Sequence, residues 1–372
     1  MTTQPPTRHG IANAARAAGR RSIKLLGRFR ARLILAAIVC VAAIGVGAGL
    51  AFARSSASEI GTGVVVIDTK LGYEGGAAAG TGIVLTSSGE VLTNNHVIQG
   101  ATSVEVLVPG TTHQYSAKVV GYDVSADVAV LQLSGASNLK TASLADSSKV
   151  TTGQAVRALG NAGGTGSFTA ASGTVTSLGR SITVTEDQGG TAQLTGLIET
   201  DAALQPGDSG GPLLNTNSQV IGMDTAASSG FTFQAAGASD SYAIPIDTAL
   251  AVAKQIESGQ ASTAVLIGPT AFIGVEIAST VGNGGFGYGG YRAAPPAGGL
   301  IAGIVAGGPA ASAGLTAGDV IAAIDGRTVS TPSAITSLIL TKKPGAKITV
   351  TYTNQSGTSH VTTVTLGSGP PQ

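Results

Sequence analysis

The sequence holds no tryptophan, a single cysteine and few aromatic or charged side chains, 4% and 11% of its 372 residues. Each shortage removes a class of explanation. The only thiol, Cys40, lies inside an uncharged apolar run, so the rest of the chain can form no disulfide, offer no cysteine nucleophile and give zinc no thiolate. The four histidines, His9, His96, His113 and His360, lack the close spacing of a metal site, and neither metal nor other cofactor is expected. An overall charge of +1 does not suggest nucleic acid as a partner. Without tryptophan the core must be filled by Val, Ile, Leu and Ala. The 55 glycines suit short strands and tight turns better than long helices, so the chain reads as mainly β.

The charge is unevenly placed. Residues 1–32 carry Arg8, Arg16, Arg20, Arg21, Lys24, Arg28, Arg30 and Arg32 and no acidic residue, which leaves thirteen basic against twenty acidic residues beyond them. Between lies LILAAIVCVAAIGVGAGLAFA, residues 33–53, uncharged and long enough at about 1.5 Å per residue to cross a hydrocarbon core of roughly 30 Å. The expectation is a basic cytoplasmic tail (1–32) and one transmembrane helix (33–53) in a bacterial cell membrane, with the remainder of the chain extracytoplasmic by the positive-inside bias. Ala51-Phe52-Ala53 also fits the small-x-small pattern of a cleaved signal peptide, but the apolar run exceeds the usual length of about 7 to 15 residues.

After a connector at 54–58, short Val/Ile-rich runs alternate with Gly, Ser, Asn and Asp up to about Ile246, which are strand and turn signals. In GTGIVLTSSGEVLT (80–93) the turn falls at Ser87-Ser88-Gly89. Many such strands imply a barrel or sandwich. IDTALAVAKQIES (246–258) has helical spacing, with Asp247 as cap and Leu250, Val252, Ala253 and Ile256 on one side. A linker is expected at Gly259 to Thr270, and a second strand-rich unit from Phe272, giving folded domains at 54–262 and 263–372. The low-complexity stretch Gly282 to Gly299, with Phe286, Tyr288 and Tyr291, reads as a loop.

The strongest local signal is GDSGGP at Gly207 to Pro212, where glycines let the backbone bend sharply around Ser209. A serine hydroxyl needs a base to take its proton, and the base needs an orienting carboxylate. His96 in TNNHV is the candidate base, at the end of an expected strand. Asp127 in SADVAVLQL precedes an apolar run, which suits a buried carboxylate, with Asp123 as its rival. GDSGG also satisfies the G-x-S-x-G nucleophile elbow, whose partners follow the serine in the order acid, then histidine. Only His360 follows Ser209, so the order here is His, Asp, Ser and the elbow fails.

These residues stand in the blocks TNNHVI, VGYDVSADVAVLQL, ETDAALQPGDSGGPLLN and VIGMDTA. Together they resemble the chymotrypsin-like serine peptidases, and more closely the bacterial HtrA/Deg family, over about residues 60 to 368. The resemblance implies two six-stranded antiparallel barrels with the site between them. It makes His96 the general base, Asp127 its orienter, Ser209 the nucleophile, and the backbone N–H groups of Gly207 and Ser209 the oxyanion hole. Two departures stand out. Asp208 sits where many HtrA members have Asn, as in trypsin-like enzymes, and ALGNAGGTGSF (158–168) lacks the Pro-Phe that often follows Gly-Asn. Ala203, six residues before Ser209, supplies no carboxylate for a basic substrate side chain, which favours small aliphatic ones.

FIGVEI (272–277) and the segment from Gly299 to Ile339 resemble the PDZ domain that follows the peptidase in this family. There Phe272, Ile273, Gly274 and Val275 would offer N–H groups to a peptide C-terminus while the peptide adds a strand beside a helix beginning at Pro332, with Thr331 as cap. The reading is a serine endopeptidase cleaving misfolded or regulatory proteins outside the cytoplasmic membrane, with the homotrimeric assembly that the resemblance implies. A latent peptidase acting mainly as a PDZ-led peptide-binding or chaperone-like protein, and an esterase with the same triad, are the alternatives.

Overall fold

The computed structural model of the chain describes residues 61–73, 75–109, 111, 113–185, 191–225, 232–233, 240–278 and 298–372. The expected cytoplasmic tail and transmembrane segment, with Cys40, lie outside these residues, as do Phe286, Tyr288 and Tyr291 of the Gly-rich stretch. Among the described residues no helix is long and apolar enough to cross a membrane.

Six strands form the first barrel: β1 (Val64–Leu71), β2 (Gly76–Val84), β3 (Glu90–Thr93), β4 (Ser103–Leu107), β5 (Gln114–Asp123) and β6 (Val128–Leu133). They run β5-β4-β1-β2-β3-β6, and pairing of β5 with β6 closes the ring. Alternation along each strand divides its side chains between two cores. Val65, Ile67, Val84, Val91, Ala129 and Leu131 fill the barrel. Their neighbours Val64, Ile83, Leu92, Val128 and Val130 pack outward into a core shared with the second barrel. The expected turn between β2 and β3 is present, with Gly89 at φ 94° and Gly89 N–H donating to Thr86 O.

The second barrel uses β7 (Ala155–Gly160), β8 (Thr169–Thr185), β9 (Thr191–Thr200), β10 (Pro212–Leu214), β11 (Val220–Thr225) and β13 (Ser241–Pro245), closed by pairing of β8 with β9; the short β12 (Thr232–Phe233) extends β8. Besides α1 (Asn95–Ile98), α2 (Ile246–Glu257) follows β13 directly and buries Ile246, Ala249, Ala253 and Ile256, a three-four-three spacing that keeps one stripe inward. Leu250 and Val252 only flank that stripe. Asp247 is not the cap. The helix begins one residue before it, and its carboxylate accepts instead from Ser147 N at 2.9 Å and Ser147 Oγ at 2.8 Å.

The expected linker contains a strand. β14 (Val265–Ile267) adds to the outside of β5, with Leu266 opposite Tyr122, so the chain leaves the first barrel later than its composition suggests. The second unit contains β15 (Thr270–Phe272), β16 (Val275–Ile277), β17 (Gly299–Ile304), α3 (Pro309–Ser312), β18 (Val320–Ile324), β19 (Arg327–Thr328), α4 (Pro332–Leu340), β20 (Lys347–Thr353), β21 (Ser359–Thr365) and β22 (Gly367–Gly369). Its sheet runs β16-β17-β18-β20-β21, leaving β16 at an edge. Ile301, Ile321, Ile335, Ile348 and Val350 form its core. Thr331 does sit before α4, but its hydroxyl lies against Ser333 Oγ at 3.1 Å rather than capping the helix.

The last residues return to the first barrel. β22 pairs with β15, and beyond it Pro371 O accepts Gly100 N–H at 2.9 Å while Asn95 Nδ2 donates to Gln372 O at 3.1 Å. Tyr122 OH joins Thr270 Oγ1 at 3.0 Å and accepts Gln372 N–H at 3.2 Å. Tyr73 stacks on Phe272 with ring centroids 5.0 Å apart.

Candidate active site

His96 does not end a strand. After β3 the chain makes the single turn α1, and His96 is its second residue, buried to 8% exposure. The turn aims both its backbone and its ring at Asp127. His96 N–H donates to Asp127 Oδ1 at 3.0 Å, and His96 Nδ1 lies 3.0 Å from Oδ1 and 2.9 Å from Oδ2. A carboxylate so placed holds the proton on Nδ1, which leaves Nε2 as the basic nitrogen.

Asp127 reaches this position through a tight turn before β6. The rival Asp123 serves the turn, its Oδ1 accepting from Ser125 Oγ at 2.6 Å and from Ala126 N–H at 3.0 Å. Asp127 itself is left-handed at φ 53°, a conformation costing about 1 kcal/mol or more that Asp tolerates better than most residues. Two further bonds hold it: Asn94 Nδ2 donates to Asp127 O at 3.0 Å, and Thr225 Oγ1 donates to Asp127 Oδ2 at 3.1 Å.

Ser209 follows a turn of defined type. Gln205-Pro206-Gly207-Asp208 closes with Asp208 N–H on Gln205 O at 3.0 Å, with proline second and Gly207 third at φ 102°, the pattern of a type II turn. A Cβ at Gly207 would fall 2.2 Å from Asn161 O, so the position requires glycine twice over. Pro206 O accepts Gly163 N–H at 2.7 Å. Because a trans peptide sets its N–H opposite its C=O, this bond turns the Gly207 N–H away from Gly163.

The turn is fastened to the first barrel. Thr81 Oγ1 donates to Gly207 O at 2.8 Å, Thr81 N–H donates to Ser209 O at 2.8 Å, and Thr93 Oγ1 donates to Thr81 O at 2.8 Å. Gly80 lies between Ser209 O and the side chain of Val97, the residue after His96. The structure thus brings His96, Asp127, Gly207 and Ser209 together from both barrels. His113 lies exposed between β4 and β5, and His360 stacks on Tyr352 in the second unit, both away from the site.

Sequence reasoning missed Thr225, Asp224 and Thr81. Beneath the Ser209 turn, Gly210 N–H donates to Asp224 O at 2.9 Å and Asp224 N–H to Gly211 O at 2.7 Å. Burial pushes the Asp224 carboxyl well above the usual carboxylate range, and the nearby Asp208 pushes it further. Burial also raises Asp208, opposed by the Gln205 N–H on its Oδ2 at 2.9 Å. The signal for Asp224 and Thr225 was an Asp-Thr pair ending an otherwise apolar strand.

In the second unit, Phe272 is engaged by Tyr73, and Ile273 is buried with its carbonyl accepting Ala310 N–H at 2.9 Å. Gly274, at φ 82°, has its carbonyl on Val305 N–H at 3.1 Å. The N–H groups of Gly274 and Val275 are therefore turned away from those carbonyls. Among the described residues no group of three or more His, Cys, Asp or Glu could hold a metal.

Two protein families match. The trypsin-like peptidase domain matches residues 80–223 and the PDZ domain residues 271–365. The chain thus carries a trypsin-like peptidase domain followed by a PDZ domain. It is 34% identical over 326 residues to the serine protease PepD of Mycobacterium tuberculosis, covering 84% of this chain and 65% of PepD. It is 35% identical over 295 residues to a DegP-like periplasmic serine endoprotease of Halomonas elongata, covering 78% of this chain and 56% of that protein. The chain thus spans between about half and two thirds of the length of these relatives. Among solved structures, the HtrA-type protease AlgW with a tripeptide aligns at 29% identity and a TM-score of 0.46, over 86% of this chain and 99% of that one.

Proposed function

We propose that this chain is an HtrA/DegP-type serine endopeptidase that cleaves misfolded or regulatory proteins outside the cytoplasmic membrane. The observation that carries the reading is the Asp127 carboxylate, which holds His96 through Nδ1 and through the backbone while Thr225 holds the carboxylate itself. In this reading His96 Nε2 takes the proton of Ser209 Oγ as the oxygen attacks a peptide carbonyl. The developing oxyanion meets the N–H groups of Gly207 and Ser209, the first of them oriented by the bond from Gly163 to Pro206. His96 then passes its proton to the leaving amine, and water releases the acyl group by the same route.

The PDZ domain takes substrate or activating peptides by their C-termini, against Phe272 to Val275 and along the free edge of β16. What supports this is the edge position of β16 and the orientation of two N–H groups beside it. Residues 33–53, uncharged and of spanning length, support a single membrane anchor with the catalytic portion extracytoplasmic. The homotrimer rests on the family resemblance alone. The test is incubation of the full chain in detergent, beside Ser209→Ala, with reduced casein. Fragments from the first and none from the second are expected. Intact casein in both would favour the PDZ-led binding protein.

A further inference from the structure

Asp208 and Asp224 bracket the backbone of Ser209, one in the nucleophile turn and one on β11. Asp224 is fully buried and both its carboxyl oxygens lack a hydrogen-bond partner; Asp208 is 4% exposed and its Oδ1 is likewise unpartnered. Among the described residues no Lys, Arg or His pairs with either. Arg157 on β7 and the other described ionisable groups on the neighbouring elements form no ion pair with either carboxylate. Asp127 and His96 hold each other beyond Thr225, Tyr242 on β13 donates to Glu199 on β9, and Arg180 on β8 pairs with Glu199 at 3.2 Å. Two adjacent carboxylates in a dry site cannot both stay charged, because each loses hydration and neither gains a counter-ion.

We propose that Asp224 is a positioning residue kept as a neutral carboxylic acid, whose proton allows the Asp208 carboxylate to remain seated beneath the nucleophile turn. When that proton leaves, the like charges push the turn away from β11, and with it the Gly207 and Ser209 N–H groups. The peptidase then switches off reversibly at alkaline pH. The proposal rests on the serine-peptidase reading and adds a titration to it: the Asp224 proton sets the alkaline limb of the activity profile.

The position of the two backbone bonds explains why the effect reaches catalysis. Gly210 N–H to Asp224 O and Asp224 N–H to Gly211 O tie the two residues after the nucleophile to the residue whose side chain would become charged. Asn at position 224 would keep the size and remove the titration.

The experiment measures casein cleavage and labelling by a fluorophosphonate across pH for the full chain in detergent, for Asp224→Asn and for Ser209→Ala. The natural chain should lose activity about tenfold per pH unit on its alkaline side, as one deprotonation requires. Asp224→Asn should keep its acid limb and move its alkaline limb to higher pH. Infrared difference spectra between the natural chain and Asp224→Asn, taken where the enzyme is still fully active and above the Glu90 transition near pH 7, should show one protonated carboxyl, lost on raising the pH in step with labelling. If Asp224→Asn does not fold, the natural chain still decides, because labelling lost while the carboxyl band persists overturns the proposal. So do coincident alkaline limbs in two folded proteins. A natural chain that cleaves nothing and takes no label at any pH instead overturns the peptidase reading.

Discussion

The hydroxyl of Thr225, on the second barrel, donates to Oδ2 of Asp127, on the first, at 3.1 Å. The carboxylate that holds His96 is therefore positioned from both barrels, and its alignment depends on their packing. A hydrogen bond to a charged group is worth about 1.5 to 3 kcal/mol. Thr225→Val should lower kcat/KM by roughly tenfold to a hundredfold with little change in KM, and Thr225→Ser should restore most of it, as steady-state peptide hydrolysis would show.

Gly210 stands at φ 81°, and a Cβ there would lie 2.1 Å from Thr81 O and 2.3 Å from Thr93 Oγ1. Neither atom can retreat, since Thr81 bonds the Ser209 turn and Thr93 bonds Thr81. Gly210→Ala should abolish fluorophosphonate labelling of Ser209 and lower the unfolding midpoint of the barrels, while the PDZ domain keeps its own peptide affinity. Normal labelling of the variant would refute the rigidity of these contacts.

Tyr122 holds the first barrel to the second unit, and burial raises the pKa of its hydroxyl. Tyr122→Phe leaves the Thr270 hydroxyl and the Gln372 N–H without their partner, which should cost about 1 to 3 kcal/mol. Thermal unfolding should resolve into two transitions where the natural chain shows closer coupling. An unchanged single transition would mean that the ring and Tyr73–Phe272 contacts suffice.

Glu90, on β3, has its pKa raised to about 7 by burial and then by Glu257 on α2. A carboxyl whose folded pKa is raised contributes stability below its unfolded value, and that stability is lost as pH rises through about 7. Glu90→Gln should therefore raise the melting temperature at pH 8.5 and change it little at pH 5. A larger gain at pH 5 would reverse the sign.

The residues of the site were legible because each sits in a short block whose local chemistry is unusual: a serine between glycines, a polar Asn-Asn-His after apolar residues, an Asp opening a buried strand. What supports them was not. Thr225, Thr81 and Asp224 act through pairings with segments distant in the chain, 98 residues apart for Thr225 and Asp127 and 126 for Thr81 and Gly207, and nothing in the composition of a strand announces which loop it will meet. Asp247 and the linker went astray for a related reason. Asp247 found a partner a hundred residues earlier, and the Val-Leu-Ile of β14 was too short a run to announce a strand, although β5 had an edge to offer it.

The pairing of β14 with β5 bears on where the peptidase can be cut from the PDZ domain. A chain ending at residue 262 would keep both barrels but strip Leu266 from Tyr122 and leave the outer backbone of Gly121 to Asp123 without a neighbour. An uncovered strand edge bordered by apolar surface is a template for another copy, so such a fragment should self-associate into aggregates, whereas one ending after Ile267 should stay monodisperse.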